Sequence, residues 1–300
     1  MFGDNAAEVG IELRASVEVV RRSTALPDGR TLSSLHFGAQ PEIVFLHGTA
    51  QNAHTWDTVV LALGRDVVTV DLAGHGHSSW RDDRAYDLAD LADDVVCLLT
   101  DLAAKQPVIL VGMSLGGMVA TRIAALRPDL VRRLVVIDIT PGTTKAKAKN
   151  IFDFVSGPPS FPSFDEILAR TMEFNPNRSE SSLRRGILHN AERHTDGSWN
   201  WRYDRRGRDG EPPPRGDLWL DVEAVGDAGL PHLLVRGGGA GSVVDDADVE
   251  EFEERNPGAS VVVVDDAGHS IQGDKPLKLA EILLAELGDA DHRDHDLPSG

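Results

Sequence analysis

Ser114 stands in Gly112-Met113-Ser114-Leu115-Gly116, between two stretches of opposite periodicity. Pro107-Val108-Ile109-Leu110-Val111 precedes it, a continuous branched apolar run of the kind that forms a buried strand. Gly117 to Leu126 follows with helical spacing and stops ahead of Pro128. The serine therefore falls on a sharp strand-to-helix turn, with its hydroxyl at a helix N-terminus, where free N–H groups favour developing negative charge. A hydroxyl is a weak nucleophile without a base beside it. His269, in Asp266-Ala267-Gly268-His269-Ser270 just beyond the last apolar run, is the expected base. A second loop, Leu46-His47-Gly48-Thr49, follows another apolar run and would set the N–H of Thr49 beside that of Leu115. Two such donors form an oxyanion hole. His47 and Gly48 are expected to line the substrate site, with His47 also bracing its loop. His75 and His77 lie in a further loop; with no companion cysteine or carboxylate pattern they read as loop packing, and no metal site is expected.

The elements that must position these residues alternate. Val17–Val20 and Thr31–Phe37 flank the turn Pro27-Asp28-Gly29-Arg30 and predict an opening hairpin. Apolar runs at 43–46, 67–70, 107–111 and 134–138 predict buried strands, and Asp87 opens a helix with Leu88, Leu91, Val95, Leu98 and Leu102 on one face. The pattern lapses at 141–230, apart from helical spacing around 164–174, and resumes with strands at 232–236 and 260–264 and helices at 246–254 and 276–287. This order predicts an α/β fold: a mostly parallel central sheet with helices on both faces and an inserted cap. Its expected units are a catalytic core at 15–140 and 231–288, a cap at 141–230, and disordered tails at 1–14 and 289–300. Trp199 and Trp201 in the cap either wall an apolar substrate pocket or form the cap's own core.

Composition bounds the partners. Among 300 residues, 41% are hydrophobic and 26% charged, as in a globular protein, and the formal charge of −18 disfavours nucleic acid and anionic membranes. There is one cysteine, Cys97, and no basic-then-apolar leader, so a reducing, cytoplasmic setting is expected. A monomer or homodimer is expected.

Leu46-His47-Gly48, the stretch Asp71-Leu72-Ala73-Gly74-His75-Gly76-His77-Ser78, the Ser114 pentapeptide with Gly117, and Gly268-His269 together resemble serine hydrolases of the α/β-hydrolase superfamily. The similar branch contains esterases, lactonases and C–C bond hydrolases. The resemblance implies a Ser–His–Asp site, a cap after the sixth strand and no cofactor. It also implies an aspartate in the turn after strand 233–235, but that turn is glycine-rich here and the expected position is Gly241. Asp138, at the end of the preceding strand, is the expected replacement, since some members take their acid there and a rigid strand end can bury it. Asp245 or Asp246, beyond the glycines, is the alternative. The implied activity is hydrolysis of a small to medium carboxylic ester or lactone through an acyl-enzyme. C–C hydrolysis of vinylogous diketones, a non-hydrolytic lyase or synthase, and a ligand receptor of the same fold remain as alternatives.

Overall fold

The first described elements are a short helix, α1 (Phe2–Glu8), and the hairpin β1 (Val19–Ala25) and β2 (Thr31–Phe37). The computed structural model describes residues 2–13, 17–103, 106–176, 178–205 and 217–288. After the hairpin come β3 (Ile43–Leu46), α2 (Asp57–Leu63), β4 (Val67–Asp71), α3 (Leu88–Leu102), β5 (Val108–Met113), α4 (Leu115–Leu126) and β6 (Val131–Ile137). The inserted region holds α5 (Lys149–Val155), β7 (Ser160–Phe161), α6 (Phe164–Phe174), α7 (Glu180–Asn190), β8 (Ala191–Arg193) and β9 (Trp199–Trp201). The chain then returns through α8 (Leu218–Asp227), β10 (His232–Gly237), α9 (Asp246–Arg255), β11 (Ser260–Val264), α10 (Ile271–Asp274) and α11 (Pro276–Gly288).

Eight strands form one sheet in the order β1-β2-β4-β3-β5-β6-β10-β11. The pairs β1–β2 and β2–β4 are antiparallel; every pair from β4 to β11 is parallel. Alternate side chains of the central strands feed two cores, one on each face. Val44, Leu46, Val68, Val70, Leu110, Leu134 and Val136 pack under α3, α4 and α8. Their sequence neighbours Ile43, Phe45, Val67, Ile109, Val111 and Val135 pack under α2 and α11. Burial on both faces explains why these strands are continuous apolar runs, not alternating ones. The parallel arrangement brings the C-terminal ends of β3, β5, β6 and β10 to one edge, and the site is built there.

Two expectations are corrected. Residues 1–14 do not form a disordered tail throughout: α1 packs Phe2 edge-on against Phe37 at 5.8 Å, buries Asn5 and Ala6, and joins Glu8 to Ser179, Ser181 and Arg185 of α7 and its N-terminal turn. Nor does the cap run to residue 230. In α8, Leu218, Val222 and Val225 join the main core beside α4, and Arg122 pairs with Asp221 at 3.0 Å. The part with its own core lies before residue 206: Phe161, Ile167, Leu168, Leu183, Ile187, Trp201 and Tyr203 cluster together, with β7, β9 and β8 as a small separate sheet. The expected tail at 289–300 lies outside the described residues. Among the described residues, no helix is long and apolar enough to cross a membrane.

Candidate active site

Ser114 has φ 53° and ψ −119°, a strained conformation for a residue with a side chain. The surroundings over-determine it. Its N–H donates to the Ile137 carbonyl of β6 at 3.2 Å, and its own carbonyl accepts from Met118 in α4 at 3.1 Å. The flanking glycines permit the close approach: a Cβ on Gly112 would lie 2.2 Å from the Gly116 carbonyl oxygen, and one on Gly116 would lie 2.3 Å from that of Leu46. The same packing draws the 46–48 loop onto the elbow, where a Cβ on Gly48 would meet the Ser114 Cβ at 3.1 Å.

Asp138 ends β6 with φ 47° and is fully buried. Four donors converge on its carboxylate. Oδ1 accepts from the Gly237 N–H at 2.8 Å and the Ser242 hydroxyl at 2.6 Å; Oδ2 accepts from the Val243 N–H at 3.0 Å and from His269 Nδ1 at 2.9 Å. Only a carboxylate satisfies four donors at once, so the contact fixes the proton of a neutral His269 on Nδ1. That leaves the lone pair on Nε2, which is buried and has no hydrogen-bond partner among the described residues. Burial of the carboxylate beside the ring is what stabilises an imidazolium once Nε2 takes a proton.

The glycine run that lacks the expected carboxylate supplies the cradle. A Cβ on Gly237 would come within 2.6 Å of the carbonyl oxygens of both Ala267 and Gly268, so this position must be bare for the His269 loop to sit against β10. The alternative acids are engaged elsewhere. Asp245 caps α9 through the Asp248 N–H at 3.0 Å and contacts Lys147 at 2.7 Å, which holds its carboxyl below the usual range. Asp246 is exposed and pairs with Arg236. Ser242, which sequence reasoning missed, could have been found only by asking what would hold an acid at Asp138.

Backbone amides near the elbow divide into used and unused. Gly48 donates to Gln51 Oε1 at 3.2 Å, Ala50 to His75 Nε2 at 3.2 Å, Gln51 to the Gly48 carbonyl at 3.2 Å, and Gly116 to the His47 carbonyl at 3.1 Å. The N–H groups of Thr49 and Leu115 have no acceptor among the described residues.

The remaining assignments fare differently. His47 does not line a substrate site: it is fully buried, its Nδ1 donates to the Gly48 carbonyl at 2.8 Å, and its Nε2 accepts from the Leu72 N–H at 3.0 Å. Burial and the nearby His75 push its pKa down to about 3, so it remains neutral and serves as a brace. Trp201 is 7% exposed and packs on Phe154, Phe161 and Tyr203 in the cap core, so it is not a pocket wall. Trp199 packs edge-on against Phe164 at 5.1 Å. His75 braces through Ala50 and its Nδ1 donates to the Ala73 carbonyl at 3.1 Å.

One group among the described residues has metal-ligand chemistry: His54, Asp57 and His189, where α7 meets the segment before α2. His54 Nδ1 lies 3.0 Å from Asp57 Oδ2, but its Nε2 accepts from Arg21 at 3.2 Å. The two imidazoles lie flat on one another, 3.7 Å apart at 14°, so their in-plane lone pairs do not converge on a common point. The geometry is that of a contact between cap and body.

A strand-elbow-helix serine, a buried strand-end aspartate bonded to a loop histidine and a mostly parallel sheet define a serine-hydrolase type of site. Residues 43–282 match the Alpha/beta hydrolase family, and the chain belongs to that family. Among similar proteins, the esterase Rv0045c of Mycobacterium tuberculosis is 38% identical over 96% of this chain and 94% of its own length. Its solved structure superposes with a TM-score of 0.83, covering 96% of this chain and 97% of that one. The mouse (Mus musculus) sn-1-specific diacylglycerol lipase ABHD11 is 30% identical over 82% of this chain and 81% of its own length. The structure of E-2-(acetamidomethylene)succinate hydrolase is 25% identical, with a TM-score of 0.79 over 90% of this chain and all of that one.

Proposed function

We propose that this chain hydrolyses small to medium carboxylic esters or lactones, with Ser114 as nucleophile, His269 as base and Asp138 as the orienting acid. The observation that carries the reading is the buried Asp138–His269 contact at 2.9 Å, which leaves Nε2 with an unshared lone pair free to accept a proton. Nε2 takes the Ser114 proton as Oγ attacks the ester carbonyl. The N–H groups of Thr49 and Leu115 hold the resulting oxyanion, and each donor is worth roughly 3–4 kcal/mol in the transition state. His269 then gives its proton to the leaving alcohol, and the acyl group stays on Ser114. A water molecule deprotonated by Nε2 attacks the acyl-enzyme, and collapse returns the serine and releases the acid.

The relatives named as an esterase and a diacylglycerol lipase support ester bonds as the target. The sole cysteine, Cys97, is unpaired, which suits a cytoplasmic enzyme acting as a monomer or homodimer on a diffusible substrate. The test is turnover of p-nitrophenyl esters across acyl lengths, with labelling by a fluorophosphonate. Activity and labelling both lost in Ser114→Ala support the reading; esterase activity surviving in Ser114→Ala overturns it.

A further inference from the structure

We infer that Asn190, the last residue of the cap helix α7, is a positioning residue for the oxyanion loop, so that seating of the cap sets the geometry of the Thr49 amide. This rests on the ester-hydrolase reading above. Ala50, the residue after Thr49, has φ 61°, a left-handed conformation that side chains disfavour and that surrounding bonds must hold. Both sides of Ala50 are tied to the cap. Its carbonyl accepts from Asn190 Nδ2 at 2.6 Å. Asn190 Oδ1 in turn accepts from Asn52 Nδ2 at 3.0 Å, and Asn52 caps the turn at His54 with its own Oδ1 at 2.9 Å. On the other side the Ala50 N–H donates to His75 Nε2. The loop carrying His75 is fastened to the end of β9: Gly76 donates to the Arg202 carbonyl at 2.8 Å, and Asp204 donates to that of Gly74 at 2.7 Å. Asn190 closes the circuit, because its own carbonyl accepts from the Arg202 N–H at 2.7 Å. The carboxamide thus spans cap and loop with a donor at one end and an acceptor at the other. Among the described residues Asn190 makes no hydrogen bond to Ser114 or His269, and it acts through Ala50.

The test uses the full-length enzyme with Asn190→Ala and Asn190→Asp. Asn190→Asp keeps the size and the acceptor for Asn52 but turns an oxygen toward the Ala50 carbonyl. The readouts are kcat and KM on a short p-nitrophenyl ester, Ki for a trifluoromethyl ketone that forms a tetrahedral adduct on serine, thermal stability, and amide exchange across residues 47–52. We expect kcat to fall on the order of tenfold, less than the ~10²–10³ of losing an oxyanion donor itself. KM should stay within about twofold, the ketone should weaken in step with kcat, and Asn190→Asp should be at least as impaired as Asn190→Ala. Exchange at 47–52 should quicken in both. A lowered melting temperature with unchanged kcat and ketone affinity overturns the proposal, as does a change confined to KM. Wild-type protein inert toward esters and the ketone would instead sink the hydrolase reading. Exchange at 47–52 then decides the coupling alone: quickened supports it, unchanged overturns it.

Discussion

Replacing Asp138 by asparagine is the perturbation that most directly tests which acid serves His269. The carboxylate accepts four hydrogen bonds, whereas a carboxamide has one oxygen to accept and an NH₂ group that only donates. If the NH₂ takes the Oδ1 place, it faces the Gly237 N–H, while the Ser242 hydroxyl can turn to the Val244 carbonyl at 3.2 Å. If it takes the Oδ2 place, it faces the Val243 N–H and donates to His269 Nδ1, which forces the ring proton onto Nε2. Either arrangement orphans one buried amide, a stability loss of about 1–3 kcal/mol. Either also removes the charge that stabilises the imidazolium, and the second leaves no lone pair to receive the serine proton. Together these should lower kcat by ~10³–10⁴, about 4–5.5 kcal/mol of transition-state stabilisation, with residual turnover sustained by the oxyanion donors. The assay is p-nitrophenyl ester turnover beside urea unfolding, with Asp245→Asn/Asp246→Asn as the comparison. That double variant should lose only helix capping and surface pairing, about 1 kcal/mol, and retain its activity. Near-normal turnover in Asp138→Asn with an inactive double variant would refute the assignment.

Ser242→Ala removes one donor to Asp138 and leaves the His269 contact in place, so a loss of kcat of only a few fold is expected, with little change in KM. Burial drives His47 and His232 down to about 3, so each is neutral in the folded protein while the unfolded chain protonates near 6.5. Their contribution is intact above pH 6.5 and is lost as pH falls toward 3. At pH 5 each costs about 2 kcal/mol, and His232→Leu should flatten the fall in melting temperature between pH 7 and 5. Trp201→Ala empties the centre of the cap core and should cost the cap about 3–5 kcal/mol, seen as rapid proteolysis within residues 141–205; a resistant cap would place Trp201 outside that core.

What was legible in the sequence was local. The elbow declares itself because strand, glycines and helix are contiguous, and β3, α6 and β11 fall at the predicted 43–46, 164–174 and 260–264 for the same reason. What was hidden depends on partners far along the chain. His47 resembles a site residue until Leu72, 25 residues later, is found on its second nitrogen. The helix α8 follows a Pro- and Arg-rich stretch that obscures where the insertion ends; only packing of Leu218, Val222 and Val225 beside α4 returns it to the core. Residues 1–14 show no strong pattern, because α1 is held by Phe37, Thr58 and Arg185 and not by its own periodicity.

The glycine run joins both lessons. Read alone, residues 237–241 are a loop that has lost its acid. Once Asp138 is buried at the end of β6, the same loop must do the opposite and supply donors without charge. Gly237 and Val243 present backbone N–H groups, and Ser242 presents a hydroxyl. Gly241 has φ 100°, a left-handed backbone that side chains rarely adopt, so an aspartate there would strain the turn that supplies these donors. Bare backbone at Gly237 also lets the His269 loop close to within contact of β10. With Asp138 as the proposed acid, the strand-end carboxylate and a glycine at 241 belong together, and Gly241→Asp should impair the enzyme instead of restoring it. A more active Gly241→Asp protein would mean that Asp138 is dispensable and that the cradle around it is only structural.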